Sequence, residues 1–245
     1  MASLKKRIDS ALVEGGFYDS LDKGRRALMA GLVSVDGHVV TKPGTQILAD
    51  ATLTIAQKEK YVGRGGHKLE GALAHFGVNP HGLVCIDVGA STGGFTDCLL
   101  QNGAAFVYAI DVGHSQFSWR LQQDPRVESR EGVNARYLKA TDFDPPPAFA
   151  VGDVSFISLT QILPAIFDVL ASGSEGIFLI KPQFEAEREE VEEGGLIRDP
   201  YVRLRCVEKI QNFVDAAGHE WLGAIESSIT GREGNIEYLA HFRCS

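Results

Sequence analysis

Four apolar runs constrain the fold of this chain more than any other feature of its sequence. The runs cover residues 83–88, 106–111, 149–154 and 176–181. Segments of helical length separate them, and strands that alternate with helices predict a parallel sheet with helices on both faces. Two later runs, joined by a short loop that contains glycine, predict an antiparallel pair of strands at the sheet edge; they cover 219–225 and 236–243. The predicted fold class is therefore α/β.

Charged residues stand at or next to the ends of the four strands. They are Asp87, Asp111, Asp153 and Lys181. The carboxyl ends of parallel strands meet at one edge of the sheet, and ligands bind at that edge near the point where the strand order reverses. The four side chains therefore predict a ligand site there.

The first strand continues into a glycine-rich loop that reads D-V-G-A-S-T-G-G-F from Asp87 to Phe95. Its spacing differs from the G-x-G-x-x-G of a dinucleotide site, which brings a pyrophosphate to a helix N-terminus. An acidic strand end followed by a looser glycine turn favours a cationic cofactor without phosphate. Asp111 follows Gly89 by 22 residues, and its carboxylate can accept hydrogen bonds from two ribose hydroxyls. A structural glycine turn and a nicotinamide site are the alternatives.

This constellation resembles the S-adenosylmethionine site of class I methyltransferases, and the resemblance implies that cofactor. Asn134 follows a further predicted strand and is expected either on the adenine side of the cofactor or as a loop cap. The candidate cofactor-binding residues are Asp87, Gly89, Ala90, Ser91, Thr92, Gly93, Gly94, Phe95, Asp111, Asn134 and Asp153.

The first sixty residues differ in charge from the rest of the chain. They hold nine Lys or Arg and seven Asp or Glu, whereas the remaining residues hold fifteen and twenty-five. The net charge of −8 alone argues against a nucleic-acid binder. The uneven distribution, however, predicts two domains with different tasks. The acidic run 185–193 is expected to lie away from the site or in a mobile loop.

The N-terminal sixty residues predict a small domain of short elements. These are a helix over 4–15, a second helix capped by Ser20, a hairpin over 32–40 and a strand over 52–55. The spacing places Asp9 on the polar face of the first helix. The motifs R-I-D-x-x-L-V-x-x-G, A-L-M-A-G-L-V-x-V-D-G and K-P-G resemble the RNA-binding domain of small-subunit ribosomal protein four and of pseudouridine synthases.

This second resemblance covers about residues 4–55 and implies that basic side chains contact structured RNA, with affinity that falls as salt rises. A solvated helix face is the alternative explanation of the same charges. Leu21 stands where the family usually has arginine, so one phosphate contact is expected to be missing. The candidate RNA-binding residues are Arg7, Lys23, Arg25, Arg26, Lys42 and, beyond this domain, Arg64.

Four residues specify the chemistry: Lys68 in R-G-G-H-K-L, Asp153 in D-V-S-F-I-S-L, Lys181 in I-K-P-Q-F-E and Glu237 in G-N-I-E. Their order on this scaffold resembles the ribose 2'-O-methyltransferases of the FtsJ type. With the RNA-binding domain in front, the whole chain resembles the TlyA, or haemolysin A, family of rRNA methyltransferases. That resemblance implies a cytidine ribose of ribosomal RNA as the target.

The same resemblance implies the domain organisation. A small α+β RNA-binding domain would cover 1–59 and a linker 60–63. A class I, Rossmann-like methyltransferase domain with a mostly parallel seven-stranded sheet would cover 64–245.

The reaction explains why these residue types are needed. The 2'-hydroxyl is a poor nucleophile and the methyl donor is already activated, so the enzyme must align the reacting atoms and ease the loss of a proton. By resemblance, Lys181 activates the hydroxyl with help from Asp153, whereas Lys68 and Glu237 position the ribose. Phe156 is expected in the core, with the target pocket as the alternative.

Other classes of protein are disfavoured. No apolar run approaches the ~20 residues that a membrane span needs, and the basic N-terminus lacks the apolar stretch of a secretory signal. We therefore expect a soluble cytoplasmic protein with no membrane partner and no obligate protein partner, and a haemolysin remains a disfavoured alternative. Four cysteines without metal-ligand spacing predict free thiols and no metal site. An RNA-binding protein with a decayed methyltransferase fold is the alternative to an enzyme.

Overall fold

The computed structural model describes residues 5–56, 59–231 and 233–245. The chain forms two compact units, Met1–Lys60 and Tyr61–Ser245, and each unit has a hydrophobic core of its own. The finer division into a domain over 1–59, a linker and a domain over 64–245 stays a prediction.

The described part of the smaller unit contains two helices and two small antiparallel sheets. Helix α1 (Ile8–Glu14) lies against α2 (Leu21–Met29). The strands are β1 (Lys5–Arg7), β2 (Val33–Val35), β3 (His38–Val39), β4 (Gln46–Leu48) and β5 (Leu53–Ile55). Strand β1 pairs with β4, and β2 pairs with both β3 and β5. Ile8 and Leu12 of α1, Leu28 of α2 and Val33 of β2 are fully buried and form the core of this unit.

The N-terminal helix is shorter than the sequence predicts. Residues 5–7 form β1 instead, and Leu4 lies outside the described residues. Pairing with β4, a strand that was not predicted, satisfies the backbone groups of this segment, and three residues are too few to show a period. The cap of the second helix is confirmed, since the Ser20 side chain accepts a hydrogen bond from the Lys23 amide at 3.4 Å. The hairpin of β2 and β3 is confirmed as well.

The larger unit is built on a seven-stranded sheet with the order β11-β12-β10-β9-β6-β7-β8. Its strands are β6 (Val84–Val88), β7 (Phe106–Asp111), β8 (Val127–Glu131), β9 (Phe149–Gly152), β10 (Glu175–Ile180), β11 (Glu220–Glu226) and β12 (Tyr238–Arg243). Strands β6 to β10 are parallel, whereas β12 runs antiparallel to both β10 and β11. The predicted parallel sheet with an antiparallel pair is therefore confirmed, and β11 forms the edge.

Helices cover both faces of this sheet, as the alternating pattern predicts. They are α3 (Gly65–Phe76), α4 (Gly94–Gln101), α5 (Trp119–Gln122), α6 (Leu163–Val169), α7 (Pro182–Glu185) and α8 (Pro200–Ala216). Alternate residues of β6 point into two separate clusters: Cys85 packs with Leu69 and Leu99, whereas Ile86 packs with Ile166 and Ile210. The strand order reverses between β6 and β9, so the fold places a ligand site at the carboxyl ends of these two strands.

No helix among the described residues is long and apolar enough to cross a membrane. The same residues contain no group of three or more metal-ligating side chains that could hold an ion. All four cysteines are buried free thiols, as the sequence predicts.

Candidate functional site

A cavity of about 300 Å³ opens at the carboxyl edge of the large sheet, where β6 and β9 lie side by side. Lys68, Asp153, Lys181 and Glu237 all line it, together with most of the glycine loop. Residues that are 169 positions apart in the sequence are therefore brought to one cavity. A larger cavity, of about 1000 Å³, lies at the opposite edge of the sheet, and none of the predicted site residues lines it.

The glycine loop is shaped by backbone that a side chain would disrupt. Gly89 has φ +79°, and a Cβ added there would lie 2.7 Å from the Asp153 carbonyl oxygen. Gly93 has φ +95°, and its Cβ would meet Leu121 at 2.4 Å. Positive φ and close backbone approach both require glycine. The loop therefore lies directly against the end of β9, which carries Asp153.

A second close approach brings α3 to the same loop. A Cβ on Gly94 would lie 3.0 Å from the Gly66 amide nitrogen and 3.2 Å from the Gly63 carbonyl oxygen. The buried Asp97 of α4 fixes this segment further, because its Oδ2 accepts a hydrogen bond from the Val62 amide at 2.9 Å. Gly94 thus allows α3 to pack closely on α4, and Lys68 of α3 lines the cavity.

Two ion pairs form the charged part of the cavity. Lys68 Nζ lies 2.5 Å from Glu237 Oε2, and the two side chains are only 9% and 3% exposed. Lys181 Nζ lies 2.6 Å from Asp153 Oδ1 and donates a hydrogen bond to Ser155 Oγ at 2.8 Å. Each lysine is therefore held by a carboxylate that comes from a different element, and the four predicted catalytic residues form two coupled pairs.

Aromatic side chains flank Lys181. The Phe184 ring lies 5.9 Å from Lys181 Nζ and 5.2 Å from the Phe156 ring. Phe156 is 90% exposed and has φ +63°, so the expectation that it belongs to the core is wrong. A residue other than glycine at positive φ costs about 1–3 kcal/mol of backbone strain, and such residues are typical of functional sites.

Asp87 does not face the cavity, which corrects the expectation that it contacts a ligand directly. It is completely buried, and its Oδ2 accepts hydrogen bonds from Thr96 N at 2.9 Å and Thr96 Oγ1 at 2.6 Å. Among the described residues, its Oδ1 has no hydrogen-bond partner. Burial raises the pKa of Asp87 to about 7, against the opposing effect of the two Thr96 hydrogen bonds. Asp87 thus fixes the start of α4, next to the glycine loop, through its two hydrogen bonds with Thr96.

The Asp87→Asn variant is expected to remove a pH dependence of stability. A carboxyl whose pKa is about 7 in the folded state and near 3.8 when unfolded binds its proton more tightly in the native protein. This contribution is present at low pH and is lost between about pH 4 and pH 7, with a ceiling on the order of 4 kcal/mol. Thermal unfolding from pH 5 to pH 8 should therefore show wild type losing stability relative to the variant. Parallel curves would contradict the assignment, and Asp215→Asn, an exposed carboxylate on α8, is the control.

Asp111 and Asn134 are engaged by backbone in this structure. Asp111 accepts hydrogen bonds from Ser91 N and Gly113 N, each at 2.6 Å, so its carboxylate is fixed beside the glycine loop. Asn134 Oδ1 accepts from Arg136 N and caps a short 3₁₀ helix. Of the two expectations for Asn134, the structure therefore supports the loop cap, and Asn134 does not line the cavity.

The smaller unit presents its cations around a buried carboxylate that the sequence placed on a polar face. Asp9 is 1% exposed and binds Arg7 Nη2 at 2.8 Å and Arg25 Nε at 3.1 Å. The hydrogen bond from Arg7 holds the pKa of Asp9 well below its usual range, with Arg25 adding to the effect. Two predicted RNA-binding arginines are thus oriented in advance. The R-I-D motif was the available signal for this role.

The other predicted RNA contacts lie on the surface. Lys23 pairs with Asp19 at 2.6 Å, and Arg26 and Lys42 are exposed. Leu21 is 42% exposed, which places an apolar side chain at the position where the related domain usually has arginine. In the larger unit, Arg64 is exposed at the start of α3 and lines the cavity.

Known proteins resemble both units. Residues 61–244 match the FtsJ-like methyltransferase family, and residues 6–53 match the S4 domain. The chain is 47% identical over 98% of its length to a provisionally named rRNA methyltransferase, YqxC, of Bacillus subtilis, of which it covers 86%. It is 38% identical over 98% of its length to the 16S/23S rRNA (cytidine-2'-O)-methyltransferase TlyA of Mycobacterium tuberculosis, of which it covers 90%.

A solved structure shows the same similarity in three dimensions. A provisionally named hemolysin from Streptococcus thermophilus is 43% identical, with a TM-score of 0.76. The match covers 100% of this chain and 90% of the other.

Proposed function

The chain belongs to the FtsJ-like methyltransferase family and carries an S4 domain, and on that premise we propose that it transfers a methyl group from S-adenosylmethionine to the 2'-hydroxyl of a cytidine in ribosomal RNA. The resemblances to FtsJ-type methyltransferases, to the RNA-binding domain of ribosomal protein four and to the TlyA family are thereby confirmed. Relatives named as rRNA (cytidine-2'-O)-methyltransferases match 98% and 82% of the chain.

One observation carries the proposal for this chain's own residues. Lys68, Asp153, Lys181 and Glu237 line a single cavity beside the glycine loop, as two ion pairs. A decayed fold would have no reason to keep two charged pairs largely out of solvent, because withdrawing charge from water costs several kcal/mol for each ion. Their retention therefore favours an enzyme over a binding module.

The loop and Asp153 together fit the sulfonium end of a cofactor that carries no phosphate. The missing side chain at Gly89 lets the loop pack directly on the backbone of Asp153, which brings the loop and this carboxylate to the same cavity. Asp153 also brings a carboxylate to the cavity, which suits a positive charge on sulfur. S-adenosylmethionine, when bound, supplies a methyl group already activated by that charge. Gly89, Ser91, Thr92 and Asp111 are the residues that would hold it.

Lys181 would act on the hydroxyl. Its amine lies at the carboxyl end of β10, steadied by Asp153 and Ser155. S-adenosylmethionine would supply the methyl group, and the electron pair of its carbon–sulfur bond would stay on sulfur as the 2'-oxygen takes the methyl carbon. The hydroxyl proton would pass to Lys181 Nζ. The lysine must be a neutral amine at that point, so the ammonium of the ion pair has to release a proton to solvent before the transfer. Asp153 would hold the amine in line and balance its charge.

Lys68 and Glu237 would position the ribose. Their mutual contact leaves Lys68 Nζ two further hydrogens and Glu237 a second oxygen for sugar hydroxyls. Because both side chains are buried, their positions are set by the fold and not by solvent. Ordering of the substrate in this way accounts for a large part of the rate in reactions that need in-line geometry.

The smaller unit would bind the RNA that carries the target. Arg7 and Arg25, fixed by Asp9, and the exposed Lys23, Arg26 and Lys42 would contact phosphates. In this proposal the RNA-binding domain covers 1–59, the linker 60–63 and the catalytic domain 64–245. A ribosomal RNA substrate implies that the protein works in the cytoplasm.

Phe156→Ala is expected to weaken the use of RNA without affecting the cofactor. The exposed ring packs against Phe184, which in turn lies near Lys181, and offers a stacking face for the target base. Base–aromatic stacking contributes about 1–3 kcal/mol for each base. We expect kcat/KM for RNA to fall roughly tenfold or more, while cofactor binding measured by calorimetry stays the same. Phe156→Tyr should retain the activity.

The matched control is Tyr201→Ala, which removes an aromatic side chain that is 81% exposed on α8, away from the cavity. An equal loss in both variants would indicate a general surface effect. Unchanged kcat/KM in Phe156→Ala would exclude stacking at this position.

The proposed function is tested by methyl transfer from labelled S-adenosylmethionine to unmodified small and large ribosomal subunits, with mass mapping of the RNA. Label on a ribose that depends on Lys181 would support the enzyme and identify the target nucleotide. Absence of label with cofactor still bound would contradict the proposed substrate. Absence of both label and cofactor binding would contradict the methyltransferase assignment and leave an RNA-binding protein.

A further inference from the structure

Glu185 is the most deeply buried carboxylate of the acidic run that was expected to lie away from the site. Its side chain is 1% exposed. Oε1 accepts a hydrogen bond from Leu159 N at 2.7 Å, and Oε2 accepts one from Ser158 Oγ at 2.6 Å. The expectation is therefore wrong for Glu185, which lies one turn beyond Lys181 and contacts the loop that follows β9.

A cation on a third element balances this carboxylate. Lys209 of α8 lies 3.1 Å from Glu185 Oε2 and donates a hydrogen bond to the Glu185 carbonyl oxygen at 2.7 Å. Two hydrogen bonds and an opposite charge compensate a buried carboxylate. If one of these partners is removed, part of the charge stays buried without compensation, which destabilises the fold. The carboxylate is thus built into the junction of α7, α8 and the loop.

Two segments that carry catalytic groups meet at this junction. The loop 153–158 holds Asp153, Ser155 and Phe156, and the turn 181–185 holds Lys181. They touch at one end through Lys181, which contacts Asp153 and Ser155. They touch at the other end through Glu185, which contacts Ser158 and Leu159. We call this second set of contacts the Glu185 clasp.

We propose that Glu185 is a positioning residue, whose clasp holds the loop 153–158 at the place where Asp153 and Ser155 meet the amine of Lys181. Leu159 is 1% exposed and anchored in the core, so the clasp ties the loop to a fixed point. Without it, the loop gains freedom and the amine loses its alignment. The inference rests on the proposed function, since the alignment matters for proton removal from a ribose hydroxyl.

The test compares Glu185→Gln with wild type in steady-state methyl transfer to ribosomal RNA. Glutamine keeps the size of the side chain but puts a donor where Ser158 and Lys209 also donate. We expect kcat to fall about ten- to a hundredfold, because displacements of ~1 Å near reacting groups have effects of this size. KM for S-adenosylmethionine should change by less than about twofold, since the glycine loop that would hold the cofactor is not altered. Loss of folded enzyme would also lower the apparent kcat, so kcat is normalised to the folded fraction measured by thermal unfolding, and a drop that disappears on normalisation would overturn the proposal.

Glu190→Gln is the matched control. Glu190 belongs to the same acidic run and also pairs with a cation on α8, Arg205, but no contact joins it to the loop 153–158 among the described residues. Its kcat should remain that of wild type. If Glu190→Gln loses as much activity as Glu185→Gln, or if Glu185→Gln keeps the wild-type kcat, the proposal is overturned.

Hydrogen exchange of the Leu159 amide provides a readout that needs no turnover. It should be faster in Glu185→Gln than in wild type and unchanged in Glu190→Gln. If wild type itself shows no methyl transfer, the proposed function fails, and the exchange result still decides whether the clasp exists. If Glu185→Gln does not fold, Ser158→Ala takes its place, because it removes one of the two contacts. It should lower kcat by a smaller factor than is expected for Glu185→Gln. A wild-type kcat in Ser158→Ala would then reject the proposal.

Discussion

Replacing Lys181 with alanine is expected to lower methyl transfer by about 10²- to 10⁴-fold, the range that a positioned acid or base contributes. The variant removes the amine that Asp153 and Ser155 hold at the cavity. Cofactor binding should persist, because the glycine loop does not depend on this side chain for its backbone shape. Single-turnover transfer to ribosomal RNA and calorimetric titration with S-adenosylmethionine measure the two effects separately.

Lys181→Arg separates two roles of the lysine. Arginine keeps a positive charge but cannot lose its proton at accessible pH. If Lys181 removes the hydroxyl proton, the arginine variant should be about as inactive as the alanine variant. Substantial activity in Lys181→Arg would mean that charge alone suffices, and wild-type activity in Lys181→Ala would remove Lys181 from the mechanism.

The general position of the site follows from the sequence because strand ends carry it. Apolar runs of strand length, each with a charged residue at or beside its end, are a local signal, and parallel pairing brings those ends together whatever the loops do. Asp153 and Lys181 are therefore found in the predicted cavity. Local sequence patterns did not place Lys68 and Glu237 at the site. Only the family resemblance connected Lys68 of α3 with Glu237 at the start of β12.

Local sequence patterns do not predict the roles of charged residues whose partners are distant in the chain. Glu185 looks like part of a solvated acidic run, and only its approach to Ser158, 27 residues earlier in the chain, reveals its role. Asp9 occupies a polar helix face by its spacing, yet it is buried and paired with the side chains of Arg7 and Arg25. Asp87 marks the glycine loop by its position, but its side chain turns away from the cavity toward Thr96. Burial of a charged group depends on partners that local patterns do not identify.

Breaking the pair of Lys68 and Glu237 should have the largest effect on stability. Lys68→Met leaves the Glu237 carboxylate 3% exposed without its ion-pair partner, and Glu237→Met leaves the Lys68 amine in the same state. Removing one member of a buried pair destabilises a protein by about 3–5 kcal/mol, because the remaining charge is uncompensated. Denaturant unfolding of each single variant at neutral pH measures this loss.

The double variant Lys68→Met with Glu237→Met separates the contribution of the ion pair to stability from its contribution to methyl transfer. Both charges then leave together, and apolar side chains of similar volume often replace a buried ion pair with little change in stability. We expect the free energy of unfolding to recover to within about 1–2 kcal/mol of wild type, whereas methyl transfer stays as low as in the single variants. Additive losses in the double variant would show that the two side chains stabilise the fold independently. Recovery of activity together with stability would show that the pair serves the fold and not the ribose. A stable, inactive double variant is the outcome that fits a pair kept at this cavity for its chemistry.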